Sequence, residues 1–216
     1  MTIRSPRGAL PGARPWGRHA TELAAGAGLV GISWLALSDA TDTVPAWEVD
    51  LFQATNDLPD WMRWPIWPVM QLGNFWMVAV GGLGVYAVAR RWRPAAAAST
   101  AVLGAWVAAK VVKRIIERGR PGDLLEGVSV REGGVHGHGY VSGHTAIAFA
   151  VATVITPLVP GRWRLVPFSV ASVVGVARVY YGAHLPLDVV GGAGIGILSG
   201  LAASVAFGTI DPVHER

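Results

Sequence analysis

The chain has 216 residues, of which 52% are hydrophobic and only 15% charged, with a positive mean hydropathy of +0.41. That is the composition of a membrane protein, not of a soluble enzyme or a nucleic-acid-binding domain. It contains no cysteine, which excludes disulfides and thiolate metal centres. Uncharged apolar runs occur at 23–38, 64–89, 94–109, 145–161, 165–177 and 189–210. A bilayer crossing takes roughly 20 apolar residues. The second and sixth runs are long enough alone, whereas the first, third and fifth must include charged residues such as Lys110, Lys113 or Arg178 at or near their ends. The pattern predicts an all-α fold, a six-transmembrane-helix bundle forming a single membrane domain over 1–216 behind a tail at 1–20. Six helices of about this length leave almost nothing for a soluble domain.

The arginines before the first run, and Ser38-Asp39-Ala40 after it, also match the plan of a cleaved signal peptide. The 22 residues that precede the run are long for such a basic segment, however, and cleavage would spoil the even helix count. Ten of the 18 Lys and Arg lie in the N-terminal tail, the loops at 90–93 and 162–164, and the last residue. These are alternate loops of a six-helix chain, so the positive-inside rule predicts cytoplasmic termini in a multi-pass plasma-membrane protein. The loop from Asp39 to Asp60 has six acids and no Lys or Arg, as suits the outer side. Basicity here reports topology and predicts no nucleic-acid partner.

Trp16, Trp47, Trp61, Trp64, Trp92 and Trp163 fall near predicted helix ends, where the amphipathic indole favours the headgroup layer. Trp34, Trp76 and Trp106 fall inside helices, where lipid, protein or a substrate chain could receive them. Between 46 and 63, Trp47, Val49, Leu51, Phe52, Leu58 and Trp61 alternate with acids and predict an amphipathic helix on the outer surface.

Three charged clusters carry the chemistry, and the predicted topology gathers them on the outer face. Lys113 closes the third helix, and Arg120 follows seven residues later, nearly two turns on if the helix continues. Arg114, Glu117 and Arg118 beside them read alone as a solvated charge run that meets anionic headgroups. Ser142-Gly143-His144 opens the fourth helix, with a favoured N-cap, a glycine that admits an anion to the backbone, and the free amides of a first turn. Arg178, His184 and Asp188 flank the junction of helices five and six, where Gly182 and Pro186 break the helix and let the chain turn. Asp188, four residues after His184, is spaced to accept the imidazole N–H and leave the other nitrogen nucleophilic. Fixed cations, imidazoles and a carboxylate at the ends of apolar segments are costly unless they bind an anion, and phosphate is the natural one. A structural Arg178–Asp188 ion pair is the competing reading. His136 and His138, in a glycine-rich loop, fit a mobile loop better than a metal centre, because two ligands do not complete a site.

In order, Lys113-x6-Arg120-Pro121, Ser142-Gly143-His144 and Arg178-x5-His184-x3-Asp188 resemble the tripartite signature of the type 2 phosphatidic acid phosphatases, over about residues 66–207. Two positions depart from that pattern: Val141 stands where proline usually precedes Ser-Gly-His, and Ala177 where serine usually precedes the arginine. The resemblance implies a metal-independent, cofactor-free membrane lipid phosphatase with a lipid phosphate or polyprenyl diphosphate as substrate. It implies that His184 attacks phosphorus, Asp188 orients His184, and His144 protonates the leaving oxygen. It further implies that Lys113, Arg120 and Arg178 hold the phosphoryl oxygens together with the amides of Ser142 and Gly143. A phosphotransferase that passes the phosphate to a lipid or sugar hydroxyl, and a non-catalytic lipid phosphate-binding protein, are the alternatives.

Overall fold

The computed structural model describes residues 16–37, 43–133 and 137–208. Among them the chain is helical, without strands: α1 Trp16–Leu37, α2 Ala46–Asn56, α3 Arg63–Met70, α4 Met77–Ala89, α5 Trp92–Ile115, the short α6 Pro121–Leu124, α7 Gly143–Ile155, α8 Val166–Tyr180 and α9 Pro186–Phe207. Of the six apolar runs, five each centre on one helix, α1, α5, α7, α8 and α9, the run at 145–161 passing from α7 into a 3-10 turn at Thr156–Leu158. The run at 64–89 does not, since a 3-10 turn follows α3 at Gln71–Gly73, and Asn74 is extended. The two halves meet at 83°, which corrects the expectation of one continuous second helix: α3 runs through Pro68, and the chain turns only after Gly73, where a Cβ would run into the His144 carbonyl. Residues 19–37 of α1, together with α5 and α9, are long and apolar enough to cross a membrane, and the bent α3–α4 pair gives a fourth candidate span.

Helix α9 is the centre of the bundle, packed against α1, α5 and α7. Gly192, Gly196 and Gly200 recur every fourth residue and so share one face of α9. A Cβ at these positions would run into the carbonyl oxygens of Ser142, Ala146 and Ala150 respectively. Such a stripe lets two helix backbones approach closely, and here it fixes register. The first turn of α7 is held beside the first turn of α9, where Ser142 N–H donates to the Asp188 carbonyl at 2.8 Å.

Helix α2 forms as expected, but its Glu48, Phe52 and Asn56 stripe is buried. Asn56 Nδ2 donates to the Ser129 and Tyr180 carbonyls, and its Oδ1 accepts from Ser129 N–H. The helix therefore packs into the bundle on one side, with Trp47 and Leu51 exposed on the other, and is not a surface element alone.

Candidate active site

The break between α8 and α9 works as the sequence suggests. Helix α8 ends at Tyr180, Gly182 takes φ +69°, and Pro186 opens α9, a first-turn position that suits its fixed φ and missing N–H. The turn brings His184 beside Asp188, with Nδ1 3.4 Å from Oδ2. The same Oδ2 accepts the Leu185 N–H at 2.9 Å, capping α9. His184 is buried, and its pKa lies well below the usual value, first through burial and then through the positive charges of Lys113, Arg178 and Arg120. The imidazole is thus neutral, with Nδ1 turned to Asp188 and Nε2 left for chemistry.

His184, His144, Gly143, Lys113, Arg120 and Arg178 line one cavity of about 390 Å³. Lys113 and Arg120 reach it from different elements. Helix α5 stops at Ile115, Ile116 is extended, and Arg120 caps α6, so the continuous helix expected through both cations is corrected. Loop carbonyls hold them instead. Lys113 Nζ donates to His138 and Gly139, both at 2.8 Å, while Arg120 donates to Gly137 and Ala183, also at 2.8 Å. Ser142 is fully buried and absent from the cavity wall. Its Oγ accepts from the Thr145 N–H and hydroxyl, and its own N–H is taken by Asp188. Ser142 therefore ties α7 to α9, and Gly143 is the member of that pair at the cavity wall. His136 lies outside the described residues.

Asp188 does not pair with Arg178. Its Oδ1 accepts from Arg118 Nη1 at 3.0 Å, and Arg118 also binds Glu48 through Nη1 at 3.2 Å and Nη2 at 2.6 Å. All three side chains are 0% exposed, so Arg118 is no part of a solvated charge run. Burial alone would disfavour its charge, but the bonds and charges of Glu48 and Asp188 win and raise its pKa. Glu48 Oε1 accepts in addition the Leu187 N–H at 2.9 Å. A chain of contacts thus runs from α2 through Arg118 and Asp188 to His184. Arg178 instead donates to Glu132 Oε2 at 2.5 Å and to Met70 Sδ at 3.2 Å.

Glu48, Arg118 and Glu132 are the site residues that sequence reasoning missed. The four-residue spacing of Glu48, Phe52 and Asn56 was the available signal, since a polar–apolar stripe of that period faces one neighbour. Among the internal tryptophans, Trp106 lines the cavity, stacked 4.6 Å from Phe75 with Lys110 Nζ 4.0 Å above its ring; Trp34 and Trp76 are exposed. Val141 and Ala177 are buried in apolar clusters and stand outside the cavity wall, so the two departures alter packing beside the site.

The chain is 38% identical over 74 residues to the lipid A 1-phosphatase of Porphyromonas gingivalis, a stretch covering 33% of this chain and 17% of that protein's length. It resembles the crystal structure of Aquifex aeolicus LpxE with a TM-score of 0.67 and 27% identity, over 74% of this chain and 95% of that one. A PAP2 type phosphatidylglycerolphosphate phosphatase from Bacillus subtilis shares the fold with a TM-score of 0.61 at 20% identity, over 93% and 98% of the two chains. The PAP2 superfamily model matches residues 88–211, more than half of the sequence and all three charged clusters. A helical membrane fold that gathers two histidines and three cations at its helix ends and the turns beside them has its explanation in that match: the chain belongs to the PAP2 superfamily.

Proposed function

We propose that the protein is a metal-independent membrane lipid phosphatase that works through a phosphohistidine. The observation that carries this reading is the shared cavity, where neutral His184 stands with His144 among Lys113, Arg120 and Arg178. Phosphoryl transfer depends mainly on positioning and charge stabilisation, and the three cations with the α7 N-terminus supply charge that a metal supplies elsewhere. His184 Nε2 attacks phosphorus as the bond to the lipid oxygen breaks, and His144, protonated once the bound phosphate offsets the surrounding cations, gives that oxygen its proton and is left neutral. Water then attacks the phosphorus–nitrogen bond, losing its proton to His144, which releases inorganic phosphate and restores His184. Asp188 orients the nucleophile throughout.

A lipid substrate is supported by a second cavity of about 460 Å³, lined by apolar residues including Leu72, Met77, Ala148, Val151, Ile155 and Trp163. Helix α7 contributes to both cavities, Gly143, His144 and Ile147 to the polar one and Ala148, Val151 and Ile155 to the apolar one. A chain-bearing phosphate laid along α7 would put its head and tail in matching surroundings. In this reading the six apolar runs cross the membrane, both termini are cytoplasmic, and the polar cavity opens on the outer face. The test is phosphate release by purified protein across phosphatidic acid, phosphatidylglycerophosphate, polyprenyl diphosphate and lipid A 1-phosphate, with excess EDTA. Release that survives the chelator is expected. Phosphate appearing on an added alcohol instead of in solution would indicate the phosphotransferase, and no turnover of any lipid would overturn the enzyme reading.

A further inference from the structure

One carboxylate sits where the chemistry least welcomes it. Glu132 lines the same cavity as Lys113, Arg120, His144 and His184, and its Oε2 accepts from Arg178 Nη1. Arg178 is almost entirely buried, with a side-chain exposure of 5%, whereas Glu132 keeps 31%. The arginine is therefore the fixed partner and the carboxylate the one with room to leave. Further along the guanidinium, Arg178 Nε is buried without a hydrogen-bond partner. The neighbouring Arg131 is anchored, donating to the Asn56, Tyr180 and Leu58 carbonyls and to Asp60, while its own N–H donates to the Tyr181 carbonyl. The chain is thus anchored one residue before Glu132, and side-chain rotation suffices to take its carboxylate off Arg178.

We propose that Glu132 sets the affinity of the phosphate site: its carboxylate takes the Arg178 guanidinium that a phosphoryl group needs, and the substrate must displace it. This rests on the reading of the cavity as a phosphate site. Carboxylate and phosphate are both oxyanion acceptors for the arginine fork, and two anions cannot share it without repulsion. The device weakens binding of every phosphate, inorganic product included. A lipid that recovers the difference through its tail is thereby favoured over the free ion, and product leaves as Glu132 returns to Arg178.

The test is calorimetric titration of the full-length protein in detergent with inorganic phosphate, which does not depend on turnover, paired with steady-state kinetics on the best lipid substrate. Glu132→Gln keeps the size and removes the charge, and the expected result is phosphate binding about tenfold tighter than wild type, since like charges juxtaposed in a site carry a penalty of at least that order. KM should fall with it. Glu132→Ala should change binding in the same direction, which guards against a residual hydrogen bond from the amide, and Glu132→Asp should stay nearer to wild type. Wild-type binding with no gain in either neutral variant would overturn the inference and leave the phosphate site standing. Unchanged phosphate affinity with a collapsed kcat would overturn it too, by making Glu132 part of the chemistry. If neither wild type nor variants bind phosphate, the phosphate-site reading falls and this inference with it.

Discussion

Replacing Arg118 by methionine keeps much of the side-chain volume and removes the cation on which two buried carboxylates depend. Arg118 makes three short contacts, two to Glu48 and one to Asp188, with all three side chains shielded from solvent. Breaking a buried ion pair by removing one partner costs roughly 3–5 kcal/mol, because it leaves uncompensated charge. Glu48 keeps the Leu187 N–H and Asp188 keeps the Leu185 N–H, so the low end, about 3 kcal/mol, is expected here. For a chain of this size each kcal/mol moves the unfolding midpoint by roughly 2–4 °C, giving a drop of about 6–12 °C. Tryptophan-fluorescence unfolding in detergent measures it. The double variant Glu48→Gln/Arg118→Met removes one of the stranded charges and should recover about 1 kcal/mol or more relative to additive single changes, the coupling expected of contacting residues. Turnover should also fall in Arg118→Met, because Asp188 loses the group that positions it against His184. A midpoint within 2 °C of wild type, taken as roughly the smallest per-kcal/mol shift, or strictly additive variants, would refute the buried-network reasoning.

Three further outcomes follow from the packing, the electrostatics and the proposed topology. Gly196→Val drives a branched side chain into α7 at the Ala146 carbonyl and Phe149 and should cost at least the roughly 1–3 kcal/mol typical of overpacking. Gly28→Ala, with nothing near, should be neutral or slightly stabilising by the same unfolding assay. Burial and nearby cations hold the His184 pKa well below its ordinary value, so the proposed nucleophile stays neutral as pH falls through about 6.5, the usual histidine value. The acid limb of kcat/KM should lie below that pH, and a midpoint at or above it would contradict the assignment. The same shift makes the stability contributed by neutral His184 fully present above about pH 6.5 and lost progressively below it, as the unfolded chain takes up the proton first. With no native cysteine, Gln53→Cys on exposed α2 should react with an impermeant thiol reagent on intact cells and Arg162→Cys should not; reversed labelling would move the site to the cytoplasmic face.

The sequence displayed the cavity's imidazoles and cations more clearly than their supports. His184, Asp188, His144 and the three motif cations stand next to turn signals, so helix ends could be placed around them from Gly182, Pro186 and Ser142. Their convergence then followed from topology. Local spacing could not show that Arg118, two residues before a motif arginine, turns inward to a glutamate 70 residues away. Nor could it show that Ser142 spends its amide on the backbone of Asp188. The continuous-helix expectation for Lys113 and Arg120 failed for a related reason: the backbone turns extended at Ile116, a buried residue, with no proline or glycine at that position to announce it. The break at residues 74–76 had a local signal in Gly73-Asn74, whereas Pro68 lies inside a helix that continues past it.

In the proposed mechanism His184 carries the phosphoryl group. Purified protein mixed with labelled lipid phosphate, quenched in alkali within a turnover and digested for mass spectrometry, should yield phosphate on the imidazole of His184 and on no other residue. His184→Ala, folded by the unfolding assay, should yield none and turn nothing over. Label on a different side chain, or turnover by His184→Ala near the wild-type rate, would show that His184 is not the phosphoryl carrier.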